Sequence, residues 1–241
     1  MFTSTDYDKL EQLMSEKPEN RTLIQKLLSS QEETISAISH EIRNPLTLVY
    51  STLQFLESRH PEIISDRYWR SMREDIEYMK QLLEELSSLN HSTSLSRSVF
   101  SFREFMEHIV LSFASSCMDG PIEFTSFLSP SLPTVCADRT KLKEVFLNIL
   151  RNAAESIDGS GSIRLEAFVQ NHNIAVQIED SGCGISEEQQ SQIFQPFVTY
   201  KSNGTGLGLA IVRRVIDAHE GQITVTSTVG KGTVFTILLP I

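Results

Sequence analysis

Residues 39–47 read Ser39-His40-Glu41-Ile42-Arg43-Asn44-Pro45-Leu46-Thr47. They lie within a column of apolar residues, Leu28, Ile35, Ile42, Val49 and Leu56, that returns every seventh position, with Ile38, Leu46 and Leu53 beside it. That spacing is the seam of a bundle helix. At about 100° per residue, His40 falls about 200° around from Ile42, which predicts a ring in solvent. Asn44, one turn on, shares its face. Pro45 has no N–H to offer the Glu41 carbonyl, so a bend is expected just below the histidine. A neutral imidazole carries a lone pair that can attack. Alone, His40 would read as an incidental surface histidine and Asn44 as a solvated amide; the rest of the chain changes that.

Working outward, Trp69, Met72, Ile76, Met79, Leu83 and Leu86 alternate steps of three and four residues, a second amphipathic helix. His60-Pro61 marks the turn between the two, and the next step of the seam lands on Asn90. Two such helices still leave apolar surface in water, and pairing two hairpins into a four-helix bundle buries it, so a homodimer is expected. Residues 1–20 form a polar N-terminal arm ending in Lys17-Pro18-Glu19-Asn20, residues 21–92 the hairpin, and Ser87–Ser98 a polar linker.

Residues 99–241 form a second domain of a different kind. Phe102–Cys117, Asp138–Ile157, Glu187–Phe194 and Gly206–His219 read as helices, with Asp138 or Thr140 as a cap. Ile122–Leu128, Ser162–Gln170, Asn173–Glu179, Gln222–Thr228 and Thr233–Leu239 read as strands. The fold class is therefore α+β: a helical hairpin, then an α/β sandwich with helices on one face of a mixed sheet.

Across 241 residues, 40% are apolar and 22% charged, and the formal net charge is -10. The acidity disfavours nucleic acid and anionic lipid as partners. No apolar run approaches the roughly 20 residues of a membrane span, and Met1–Asp8 has no signal-peptide pattern; a cytoplasmic protein without membrane insertion is expected. The cysteines, Cys117, Cys136 and Cys183, are odd in number and widely spaced, as for reduced thiols.

Three further elements carry chemistry. Asn148 and Asn152 share a helix face opposite Phe146, Leu147 and Leu150. Asparagine is a mediocre helix former, and its neutral carbonyl oxygen suits a magnesium ion that already carries waters and phosphate oxygens. Asp180-Ser-Gly182-Cys-Gly184 comes directly after a strand, with glycines that permit a tight turn and close approach of a flat ligand. Gly204-Thr205-Gly206-Leu207-Gly208 opens a helix, whose N-terminal N–H groups can bind phosphate. Just before it, Phe194 and Phe197 are expected to anchor a lid, and Lys201 to reach phosphate. Singly, these residues read as surface amides, a hairpin turn, core aromatics and a surface charge.

In this order, the His40 stretch, the two asparagines and the glycine boxes resemble the sensor histidine kinases of two-component signalling, with a His40 box similar to the sporulation-kinase-like group. The part from Asn148 onward resembles the ATP-binding domain that histidine kinases share with one class of heat-shock chaperones, DNA gyrases and mismatch-repair ATPases. The resemblance implies ATP and Mg2+ as cofactors and His40 as phosphoacceptor, with Glu41 polarising it. Asn44 would orient a phosphoryl oxygen or a water. Metal and phosphate contacts would fall on Asn148 and Asn152, and an adenine contact on Asp180. It further implies transfer to an aspartate of a response regulator receiver domain, a secondary regulator-phosphatase activity, and a separate sensor or input protein. Val198-Thr-Tyr200 departs from relatives that carry a second aromatic and paired threonines. Two rivals remain: a nucleotide-binding regulatory scaffold without autokinase activity, and a serine kinase of anti-sigma-factor type, which the hairpin disfavours.

Overall fold

The computed structural model describes residues 18–117, 120–201 and 204–241, with side chains described at Asn20 and from Thr34 onward. The chain divides into two compact units between His91 and Ser92. Residues 1–17 of the expected arm lie outside the described residues.

In the first unit, α1 (Pro18–Arg59) and α2 (Arg67–Asn90) are joined by a 3-10 turn, Pro61–Ser65. Helix α1 already includes Pro18, Glu19 and Asn20, which were expected to belong to the arm. The α1 helix continues through Pro45, and the Thr47 hydroxyl donates to the Arg43 carbonyl at 2.8 Å. Asp66 caps α2 by accepting from the Tyr68 and Trp69 N–H groups. Residues 87–90, expected in the linker, are the last turn of α2, closed by the His91 N–H on the Ser87 carbonyl. Serine costs a helix only a few tenths of a kcal/mol, roughly, and Leu89 is buried there.

The hairpin core is Leu46, Leu53, Ile76 and Leu83, flanked by Tyr50 and Trp69. At its closed end the Glu57 carboxylate accepts from Trp69 Nε1 at 3.0 Å and from Arg73 at 2.8 Å. The column expected to lead the seam stands largely outside this core: Ile42 and Val49 remain 48% and 47% exposed. The column that turns inward is the one offset by four residues from it.

The second unit is a sandwich. A five-stranded sheet runs in the order β2 (Ile122–Leu128), β4 (Gly161–Gln170), β5 (Asn173–Asp180), β7 (Gly232–Pro240), β6 (Gln222–Thr228). Only β2 and β4 are parallel. Two short strands, β1 (Ser98–Ser101) and β3 (Thr134–Ala137), pair separately and were not expected. Asn171 and His172 both take positive φ, forming the tight turn between β4 and β5.

Three helices pack against the large sheet: α3 (Phe102–Cys117) on β2, α4 (Arg139–Ser156) on β4 and β5, and α6 (Gly208–Ala218) on β6. Alternate residues Ile163, Leu165 and Ala167 of β4 and Ile174, Val176 and Ile178 of β5 are buried, as the period of two requires. Phe102, Phe105 and Phe146 meet at ring-centroid distances of 5.7–6.2 Å. The helix expected over residues 187–194 is only α5 (Glu187–Gln190). A capping box of Ser186 and Gln189 starts it, and the Ser191 hydroxyl takes the Glu188 carbonyl at 2.7 Å, diverting the chain into turns. The three cysteines are unpaired.

Candidate functional site

One side of α4 is buried through Leu142, Val145, Phe146, Ile149, Leu150 and Ala153. Asn148 and Asn152 are half-buried off that side, and Ser156 continues their four-residue step. Sequence reasoning missed Ser156, although the repeat Asn148, Asn152, Ser156 is a signal that could have found it. Its hydroxyl donates to Asp180 Oδ1 at 3.0 Å, and its carbonyl accepts from the Cys183 N–H at 3.0 Å. The turn after β5 is thus fastened to the end of α4.

Asp180 is 4% exposed. Its Oδ1 also accepts from the Gly182 N–H at 2.8 Å. Burial pushes its carboxyl above the usual carboxylate range, partly offset by the bonds from Gly182, Ser156 and Thr233 and by the charge of Lys201. Gly184 has φ +72, and a side chain there would overlap the Thr228 carbonyl, so this turn demands glycine.

The segment before α6 folds back on itself. The Phe197 N–H donates to the Gly206 carbonyl at 2.9 Å. Gly206 has φ +70, with a Cβ position only 2.6 Å from the Phe197 backbone, which keeps it out of the helix expected to begin there. Gly208 is the first residue of α6, and Asn148 Oδ1 lies 3.7 Å from its Cβ position. The asparagine face of α4 therefore looks onto the last glycine of the box. Thr205 and Leu207 are buried, with the Leu207 N–H donating to the Thr205 hydroxyl at 3.3 Å.

Lys201 Nζ donates to Asn152 Oδ1 at 3.0 Å and pairs with Glu155 at 2.6 Å. The two aromatics part company. Phe194 packs edge-on against Phe235, with Arg213 over its ring at 4.5 Å, while Phe197 is 56% exposed at φ +65. Only Phe194 is an anchor; Phe197 holds its place through its backbone.

On the hairpin, His40, Glu41 and Asn44 are all exposed on α1. Ser39 beside them is buried, with its hydroxyl satisfied by the Ile35 carbonyl at 2.7 Å. Asn148, Asn152, Asp180, Lys201 and the two glycine boxes all belong to the sandwich, and the three helical residues to the hairpin.

Among the described residues no group of three or more His, Cys, Asp or Glu side chains could hold a metal. The half-buried Asn148 carbonyl beside Gly208 fits a magnesium ion brought largely by phosphate oxygens. Asn152 Oδ1 already accepts from Lys201 with one of its two lone pairs, which leaves the other to join it.

An α/β sandwich with glycine boxes at the end of one strand and the start of one helix, linked to a hairpin that exposes a histidine, defines a two-part protein built around a nucleotide-binding type of domain. Residues 137–241 match the family described as histidine kinase-, DNA gyrase B-, and HSP90-like ATPase. Residues 30–94 match the His Kinase A (phospho-acceptor) domain. The chain is 34% identical to the signal transduction histidine-protein kinase AtoS of Escherichia coli (strain K12), over 89% of this chain and 35% of that protein. It resembles full-length ShkA in complex with AMPPNP at a TM-score of 0.74 and 25% identity, over 86% of this chain and 45% of that one. The catalytic domain of histidine kinase ThkA matches at 32% identity and a TM-score of 0.55, over 60% of this chain and 95% of that domain. ThkA in complex with the response regulator protein TrrA matches at 27% identity and a TM-score of 0.63, over 90% of this chain and 63% of that one. The chain belongs to the sensor histidine kinase family. It spans half or less of the length of the first curated relatives it matches. No described helix is long and apolar enough to cross a membrane.

Proposed function

We propose that this chain is the kinase core of a protein that phosphorylates its own His40 from ATP and passes the phosphoryl group to an aspartate of a response regulator receiver domain. The observation that carries this reading is the union, in one chain, of an exposed histidine on a helical hairpin with a sandwich whose Asn148 faces the glycine that opens α6. The hairpin, residues 21–92, would serve dimerisation and phosphotransfer, and residues 99–241 would bind ATP.

ATP binds with its base towards the Asp180–Gly184 turn and its phosphates towards the Gly204–Gly208 backbone, where N–H groups at the start of α6 favour negative charge. Magnesium, held by Asn148 and then Asn152, would neutralise phosphate charge. A ring nitrogen of His40 attacks the γ-phosphorus in line. The N–P bond forms as the bond to the β–γ bridging oxygen breaks, and ADP leaves with that electron pair. The ring proton passes to Glu41 or water. Positioning and charge neutralisation supply most of the rate. Asn44, on the same face, would orient the phosphoryl group, or the water in a reverse phosphatase reaction on the regulator.

The partner assignment is supported by ThkA, a relative determined in complex with a response regulator, and ATP by ShkA, determined with AMPPNP. Homodimerisation is supported by Ile38, Ile42, Val49, Met72 and Met79, all at least 40% exposed on one hairpin. Input from a separate sensor and a cytoplasmic setting complete the reading. Incubation of the purified chain with γ-labelled ATP and magnesium tests it. Acid-labile label is expected on the wild type and on neither His40→Gln nor Asn148→Ala. Label that persists on His40→Gln would refute the assignment of the acceptor.

A further inference from the structure

The segment joining the two units is seated on the sandwich by a buried pair that the nucleotide site does not use. The Ser96 N–H donates to Asp138 Oδ2 at 2.7 Å. Asp138 Oδ1 accepts from the Thr140 and Lys141 N–H groups, each at 3.0 Å, and so caps α4. The N–H of Asp138 itself donates to His219 Nε2 at 3.0 Å. His219 Nδ1 lies 2.8 Å from the Val215 carbonyl, in the last turn of α6. A carbonyl can only accept and a backbone N–H can only donate, so the ring is neutral with its proton on Nδ1. Next to Ser96, the Arg97 guanidinium donates to the Ala218 carbonyl at 3.3 Å.

Asp138 and His219 are 5% and 6% exposed. A cavity of about 350 Å³, lined in part by Arg97, Ala137, Leu142 and Leu239, opens beside the histidine, so its two hydrogen bonds rather than close packing all round fix the ring. These bonds tie together the N-terminus of α4 and the C-terminus of α6. The same α4 carries Asn148, about 15 Å along its axis from Asp138, and the same α6 begins at Gly208.

We propose that His219 is a positioning residue for the nucleotide: with Asp138 it locks the linker and the far ends of α4 and α6 into one joint, so that the seat of the linker and the spacing of Asn148 from the glycine box are set together. The proposal rests on the nucleotide reading of that box. Coupling of this kind is reciprocal: what loosens the linker weakens nucleotide binding, and bound nucleotide tightens the linker.

His219→Gln and His219→Asn in the full chain test the joint. Glutamine places an amide oxygen near the position of Nε2 and can still accept from Asp138; asparagine is too short and reaches only the Val215 side. Two quantities are read: the calorimetric affinity for ADP with magnesium, and hydrogen exchange of the peptide covering residues 92–98. The His219→Asn variant is expected to bind ADP about tenfold more weakly and to exchange faster in the linker, with His219→Gln close to wild type in both. A purely structural role would lower the melting temperature of both variants and leave the affinity of the folded protein unchanged, which overturns the proposal, as would equal losses in the two. If the wild type fails to bind ADP, the nucleotide reading has failed. Linker exchange then still decides the joint, and unchanged protection in His219→Asn overturns it.

Discussion

Phe146 and Leu150 in the sandwich have no exposed surface, whereas Val49 and Met79 in the hairpin keep 47% and 44% of theirs. Both regions have amphipathic helices, but the sandwich gives its helices a sheet to cover. The hairpin gives its helices no sheet, and among the described residues its central cluster holds four buried apolar side chains, Leu46, Leu53, Ile76 and Leu83. Completeness of burial, more than helix content, separates the two units, and it is the hairpin's exposed apolar residues on which the proposed second copy rests.

The sharpest way to break this contrast is Phe146→Ala. It should cost the sandwich about 3–5 kcal/mol through a cavity that close-packed neighbours cannot fill, while the hairpin is spared. The chain has a single tryptophan, Trp69, and it lies in the hairpin. Denaturant melts followed by Trp69 fluorescence and by circular dichroism would therefore show the two transitions moving apart. A single coincident shift would mean that the units unfold as one.

A tenfold dilution of the wild type makes the next largest change. If the hairpin depends on a second copy, its Trp69 transition should lose about 1.4 kcal/mol of apparent stability, and the sandwich transition none. An unmoved Trp69 midpoint would make the hairpin self-sufficient.

The smallest effect sharpens the sandwich side. Burial holds the Asp180 carboxyl above its ordinary range, so the native state binds that proton more readily than the unfolded chain. Between the unfolded and the higher folded pKa, the folded state carries more protons, and stability falls as pH rises through that window. The sandwich transition should show this decline and Asp180→Asn should remove it, with no change in the Trp69 signal. Its size should lie below that of the dilution effect.

The same contrast governs how much was legible in the sequence. Period-seven spacing located both hairpin helices, and alternation located the strands of the five-stranded sheet to within a residue or two at their ends. The strands β1 and β3 were missed because four residues such as Thr134–Ala137 are too few to show a period. Their pairing is a long-range fact. Which hairpin column turns inward was also hidden, since Leu46 and Leu53 differ from Ile42 and Val49 only in what faces them. At the site, the residue types were readable but their couplings were not. The Ser156 hydroxyl meets Asp180 across 24 residues, and His219 meets Asp138 across 81; no local pattern encodes either meeting. Phe197 was expected to anchor a lid beside Phe194, and neither its positive φ nor the exposure of its ring is written in the residues around it.

Lys201, held between Asn152 and Glu155, has a consequence of its own. A bare lysine over a phosphate site would draw any small anion in the surrounding solution. On the proposed reading of the site, an arriving phosphate would share that ammonium with a carboxylate already in place, and so compete with an internal rival as well as with water. A lone inorganic phosphate gains little from such an exchange. A nucleotide, which on the same reading also brings a base to the Asp180 turn and further oxygens to the α6 backbone, would have binding energy left over. On that reading the occupied lysine would act as a threshold, favouring ligands that engage both ends of the site at once.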